Sequence, residues 1–97
     1  MGIDVRVGHT VRSKRRLLNR VRRLAGQVRA VERALEEEEK CGRVLQTLSA
    51  ARGALTALLA EVVEGHVWEH VAARDVKPRD RAEAAKELVE IVRAYLK

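Results

Sequence analysis

From Cys41 to about Ala73 the chain carries Val44, Leu45, Leu48, Leu55, Leu58, Leu59, Val62, Val63 and Val67 at helical spacing. That pattern predicts a single helix of roughly 30 residues, about 45 Å long. The whole chain has 97 residues, one domain by length. A compact body of that size has a radius of gyration of about 13 Å, so the helix overhangs its own fold. The apolar stripe on the overhang needs another copy of the chain to cover it. One over-long element therefore predicts an oligomer.

The elements on either side are also helical in pattern, and the fold class expected is all-α with three helices. Leu17, Val21, Leu24, Val28, Val31 and Leu35 recur every three or four residues and make one amphipathic stripe. On the same wheel Arg15, Arg22, Arg29 and Arg33 fall within about 60° of the opposite pole, flanked by Arg16 and Arg23. The helix thus shows an arginine ridge. Glu36, Glu37, Glu38 and Glu39 would oppose the dipole at a helix C-terminus and suit the start of the next helix, so the break is expected there. Cys41 and Gly42 then open the long helix. A third helix follows Pro78, with Asp80 and Glu83 resembling a capping box and Leu88, Ile91, Val92, Tyr95 and Leu96 as its apolar face. Residues 1–12 form a flexible arm and 13–97 a single helical domain. Gly26 and Gly53 suit close helix approach, and Trp68 suits an interface or packing position.

Charge is distributed unevenly. The net charge is +6, yet residues 1–35 hold ten basic and two acidic side chains and the remainder sums to −2. A basic first third points to a polyanion partner held by one element. Only Trp68 and Tyr95 are aromatic, too few for a base-stacking platform. No apolar run approaches the ~18 residues of a membrane span, and the start MGIDVRVGHT lacks a signal peptide's apolar stretch. A cytoplasmic protein with no membrane partner is expected. One cysteine makes no internal disulfide, and the ordinary role of such a residue is packing.

His66 and His70 stand four residues apart on the long helix and project from one face, a common placement for two imidazole ligands. Two surface histidines on a helix more often face solvent. Cys41 alters the balance. At opposite ends of the helix, Cys41 and His66 are ~35–40 Å apart in one chain. They meet only if two copies of the helix pack antiparallel, which gives two symmetry-equivalent sites built from both chains. A packed Cys41 with two incidental histidines is the other reading, and it leaves the oligomer and the spacing unconnected.

The stretch LLNRVRRLAGQVRAVERALEEEEKCGRVLQTLSAARGALTALLAEVVEGHVWEHV resembles the copper-sensing operon repressor family, the CsoR/RcnR/FrmR group. The likeness runs over roughly residues 12–97. It is most specific at N-R-x-R-R-x-x-G-Q, at the cysteine after the acidic turn, and at G-H-x-x-x-H. The resemblance implies a disc-shaped dimer of dimers of three-helix protomers, without a helix-turn-helix, with metal between protomers. It carries the ligand pattern onto Cys41, His66 and His70, where copper sensors commonly have Cys-His-Cys and nickel/cobalt sensors Cys-His-His. It carries a supporting acid onto Glu87, with one gap near Pro78. The tyrosine that precedes the thiol in copper sensors is replaced by Lys40. Operator-contacting basic residues map onto Arg20, with Arg15, Arg16, Arg22 and Arg23 alongside. A further basic position corresponds to Ala57, and Arg52 is the candidate substitute.

The implied function is a repressor that holds double-stranded operator DNA when metal-free and releases it when metal binds, freeing metal homeostasis genes. A thiolate with two imidazoles satisfies trigonal Cu(I), whereas Zn(II) usually takes a fourth ligand and Ni(II) or Co(II) more. Cu(I) ranks first. The start His9-Thr10-Val11-Arg12 resembles the nickel/cobalt branch, which adds an N-terminal histidine and the terminal amine, although eight residues precede His9 here. His9 is thus a candidate extra ligand and a nickel/cobalt repressor the alternative. Formaldehyde sensors of the family pair the cysteine with an N-terminal proline, where this chain has Gly2, and persulfide sensors need two cysteines. Outside the family, the alternatives are a Cys-His-His zinc enzyme, for which no loop builds a substrate pocket, and a metal-independent helical adaptor. No enzymatic activity is expected.

Overall fold

The computed structural model describes residues 8–95, and of Gly8 and His9 the backbone alone. Four α-helices follow one another: α1 (Gly8–Arg12), α2 (Lys14–Glu36), α3 (Cys41–His66) and α4 (Pro78–Tyr95). A π-helical turn, Val67–Val71, extends α3. No strand occurs among the described residues. Of the expected arm, residues 1–7 lie outside the described part and 8–12 form the short α1. The all-α expectation is met.

The described residues divide into two compact bodies, 14–60 and 61–95 with 8–13. In the first, α2 and α3 are joined by a tight turn at 37–40. Glu38 takes a left-handed φ of 52°. Its N–H donates to the Leu35 carbonyl at 3.2 Å, and the Glu39 N–H reaches back to Ala34 at 3.0 Å. This is a Schellman closure, with glutamate where glycine is usual. The Lys40 carbonyl then accepts from Arg43 and Val44 at 2.9 and 3.2 Å, so Lys40 caps α3 and Cys41 is its first residue. The expected break is therefore present, but the acids do not fill the first turn of α3, which holds none. Glu36 ends α2, Glu37–Glu39 form the turn, and Glu39 pairs with Arg43 at 3.7 Å.

In the second body, α4 packs on the π turn. It starts at Pro78 rather than at a cap on Asp80. Proline has no N–H to lose in a first turn and its φ is already helical. The Lys77 carbonyl accepts from Arg81 N–H at 2.9 Å, which makes Lys77 the cap and places Asp80 inside the first turn, against the dipole's positive end. The Arg81 guanidinium donates to the Ala73 and Val76 carbonyls at 2.8 and 3.3 Å, and so pins the connecting loop.

Burial is sparse. Among the described residues only Ala34, Ala84 and His70 are buried, and no large side chain is fully enclosed. The stripe on α2 splits into two heptad rows. Leu17, Leu24 and Val31 are half-buried, while Val21, Val28 and Leu35 are exposed. On α3 the row Val44, Ala51 and Leu58 is half-buried, and Leu48 and Leu55 are exposed. One row per helix is thus left open. Gly53 has open space where a Cβ would stand and Gly26 meets only the tip of Arg29 at 3.9 Å, so neither supports a close helix approach within one chain. Trp68 is 66% exposed and packs little within its own chain.

Candidate metal centre

The long helix changes its winding where the histidines lie. It is α-helical to His66 and then takes a π turn, closed by the Ala72 N–H donating to the Val67 carbonyl at 2.8 Å. The expected α-helix to Ala73 is corrected at this point. A π turn holds more residues than the 3.6 of an α turn, so four residues fall short of a full turn instead of exceeding it. His70 is thereby rotated relative to His66. The two imidazoles end edge to face, with centroids 5.1 Å apart and planes at 69°.

The two histidines are held differently. His66 is half-buried, and its Nε2 lies 2.9 Å from the Ala84 carbonyl of α4. A carbonyl oxygen only accepts, so Nε2 carries the proton and Nδ1 keeps its lone pair. That is the arrangement of a metal-binding imidazole whose second nitrogen is tied to a fixed acceptor. Ala84, itself 2% exposed, has a side chain small enough to let the ring reach its carbonyl. His70 is 2% exposed. Glu69, between them in sequence, pairs with Arg12 at the end of α1.

Two imidazoles at this spacing suit one ion, since a metal–nitrogen bond is about 2.0 Å. The third expected donor is elsewhere. Cys41 is exposed at the far end of α3, and a 26-residue helix puts it about 37 Å from His66 along the axis. Among the described residues no three His, Cys, Asp or Glu side chains gather in a single chain. Glu87 is exposed on α4, one turn beyond Ala84, and it is the Ala84 carbonyl that accepts the His66 hydrogen bond. His9 lies in α1, within the same compact body as the π turn.

The candidate DNA-binding arginines are all in the first body. Arg15, Arg16, Arg22, Arg23 and Arg52 are exposed and Arg20 is half-buried. Arg22 donates to the Asn19 side chain at 3.2 Å. Arg20, Arg23 and Gln27 of α2 face Ala50, Gly53, Ala54 and Ala57 of α3 across a groove of about 290 Å³. Ala57 therefore belongs to a basic-rimmed groove, and Arg52 stands outside its lining. Sequence pattern gave no sign of the π turn, the Ala84 acceptor or the Arg12–Glu69 pair. A backbone acceptor carries no side-chain signature, and the ion pair joins residues far apart in the chain.

A family model for metal-sensitive transcriptional repressors matches residues 13–94. The chain is 47% identical over 91 residues to an uncharacterised protein from the bioA 5′ region of Serratia marcescens, covering 94% of this chain and 100% of that protein. It is 35% identical over 91 residues to the transcriptional repressor RcnR of Salmonella paratyphi B, with the same coverage. Among solved structures it is similar to a point variant of the formaldehyde-responsive regulator FrmR from Salmonella enterica serovar Typhimurium. That match has a TM-score of 0.79 at 44% identity and covers 87% of this chain and 94% of that one.

Proposed function

The chain belongs to the metal-sensitive transcriptional repressor family, and from that premise we propose that it is a cytoplasmic Cu(I)-responsive repressor, not an enzyme, that leaves operator DNA when the ion binds. The observation that carries the reading is the histidine pair, with His66 Nε2 anchored on Ala84 and its ring edge to face with that of His70. Cys41 of a second chain completes the set. A bound Cu(I) would supply a soft centre that draws thiolate and imidazoles together. His66 and His70 orient the donor nitrogens, Ala84 fixes the tautomer, and Cys41 brings the second chain into register.

The open heptad rows support the oligomer that this site requires. Val21, Val28, Leu35, Leu48 and Leu55 are each between 43% and 61% exposed. Burying one such side chain is worth about 1.5–3 kcal/mol, so covering these rows with a second copy stabilises both. We assign residues 13–97 to the sensing and DNA-binding domain and 1–12 to an arm. The oligomer is a homodimer that pairs into a homotetramer. Arg15, Arg16, Arg20, Arg22 and Arg23, with Arg52 further along α3, form the phosphate-binding surface for double-stranded operator DNA. Glu87 is the supporting acid, reached on assembly.

One observation favours Ni(II) or Co(II) as a second reading. The Arg12–Glu69 pair brings α1, and with it His9, into the body that holds the π turn. His9 then supplies the extra donor that those ions, or Zn(II), prefer. The deciding experiment titrates operator-bound protein with Cu(I), Ni(II), Co(II) and Zn(II) at fixed salt. Release by Cu(I) at the lowest free ion concentration upholds the first reading, and release by nickel or cobalt alone replaces it with the second.

A further inference from the structure

Glu69 lies on the π turn, one residue before His70, and its carboxylate meets the guanidinium of Arg12, the last residue of α1. The glutamate side chain is 18% exposed and the arginine 64%. The pair is therefore partly shielded at its acidic end, where water and salt weaken it less than an open surface pair. Ser13 alone separates α1 from α2. Arg12 thus stands within four residues of Lys14, Arg15 and Arg16 in the chain.

The π turn is a natural two-state element. Its i→i+5 bond at Val67 and Ala72 lies one residue of register from the i→i+4 pattern of the helix before it, and a change between the two rotates every side chain in the turn. Anything that fixes the relative orientation of His66 and His70 fixes the direction of the carboxylate one residue before His70. We propose that Arg12 and Glu69 form a latch that transmits the state of the histidine turn to the basic start of α2. The inference rests on the reading of His66 and His70 as metal ligands and of α2 as the DNA-binding helix. It gives the coupling between them a physical route, a shared ion pair and a one-residue link.

The test is a double-mutant cycle on the full chain, with Arg12→Gln, Glu69→Gln, the double variant and Arg12→Lys. Operator affinity is measured by fluorescence anisotropy at fixed salt, metal-free and with a saturating amount of whichever of Cu(I), Ni(II), Co(II) or Zn(II) releases the wild type. Allosteric coupling of this kind is typically about 5–150-fold. The latch predicts that each glutamine variant binds the ion with wild-type stoichiometry yet loses at least about five-fold of the metal-induced fall in affinity. The double variant should be no worse than either single, and Arg12→Lys should keep most of the response. In metal-free protein, Glu69→Gln should also speed amide exchange of residues 8–12. Additive losses, unchanged responses, unchanged exchange, or loss of metal binding in Glu69→Gln would each overturn the latch. A wild type that answers to none of the four ions would overturn the functional reading and the latch together, which distinguishes the two failures.

Discussion

Replacing Glu38 by glycine should make the protein more stable, and the size of the gain follows from one dihedral angle. Glu38 holds φ at 52°, in the left-handed region, where a residue with a Cβ pays about 1–2 kcal/mol. Glycine removes that strain but loses about 0.5–1 kcal/mol through the greater freedom of its unfolded chain. The difference leaves a net gain of roughly 0.5–1 kcal/mol. The Schellman bonds of Glu38 and Glu39 to Leu35 and Ala34, at 3.2 and 3.0 Å, are backbone bonds and survive the change. Charge must be separated from geometry, because Glu38 lies at the negative end of the α2 dipole and its removal alone helps by about 0.3–1 kcal/mol. Glu38→Ala serves as the control, since it loses the charge and keeps the strain. Urea unfolding at one fixed protein concentration is the assay, the fixed concentration being needed because assembly adds to apparent stability. The expected order is Glu38→Gly above Glu38→Ala above wild type. A glycine variant no more stable than the alanine variant would refute the argument that this turn stores backbone strain.

The other predictions concern the site and its partner. Mixing Cys41→Ala chains with His66→Ala chains should rebuild some complete three-donor sites that neither variant can form alone, measured as a rise in tightly bound metal over either variant; no rise would mean that the donors do not come from two chains. Neutralising Arg15 with Arg16, or Arg20 alone, should weaken operator binding and lower the slope of log K against log salt by about one unit for each phosphate no longer neutralised, and equal slopes would reduce the ridge to a solvated surface. Cys41→Ala should stay folded and bound to operator while failing to release it with Cu(I), whereas His70→Ala should keep a partial Cu(I) response through a two-coordinate thiolate–imidazole site. Release of Cys41→Ala by Cu(I) would end the proposed mechanism.

Much of this architecture is legible from residue spacing, because its helices are long and their apolar positions regular. The turn after Glu36, the position of Cys41 at the head of α3 and the helix after Pro78 all follow from periodicity and helix-end chemistry. The details missed are those in which several local solutions compete. Asp80 and Glu83 resemble a capping pair, yet Pro78 is better suited to a first turn and moves the start two residues earlier. The acidic run suits a helix start electrostatically, but a left-handed Glu38 closes α2 first and leaves the acids in the turn. His66 and His70 are as compatible with an α turn as with a π turn, since the spacing of four is identical in sequence. What selects the π form is not local. The packing of α4 on this turn and the Ala84 carbonyl involve residues well beyond it in the chain, Ala84 lying eighteen residues after His66.

The unfinished core and the incomplete site have one origin. α3 takes 26 of the 97 residues, and the described residues leave part of its apolar surface open. The exposed rows Val21, Val28, Leu35 and Leu48, Leu55 are what remains uncovered. The same helix separates Cys41 from His66 and His70, so in the proposed antiparallel pair the step that buries the rows would also complete the donors. In the proposed antiparallel pair, symmetry repeats the site at both ends of the paired helices. An ion at each end then acts on the register of the whole interface, where a site within one chain would act only on its own surroundings. Register is the property to which α2 is most sensitive, because half of its apolar stripe is left for the partner. On the proposed assembly, ligand binding and subunit packing are set against the same helix, and a small change at the histidine turn would alter how the arginines of two chains are spaced on DNA.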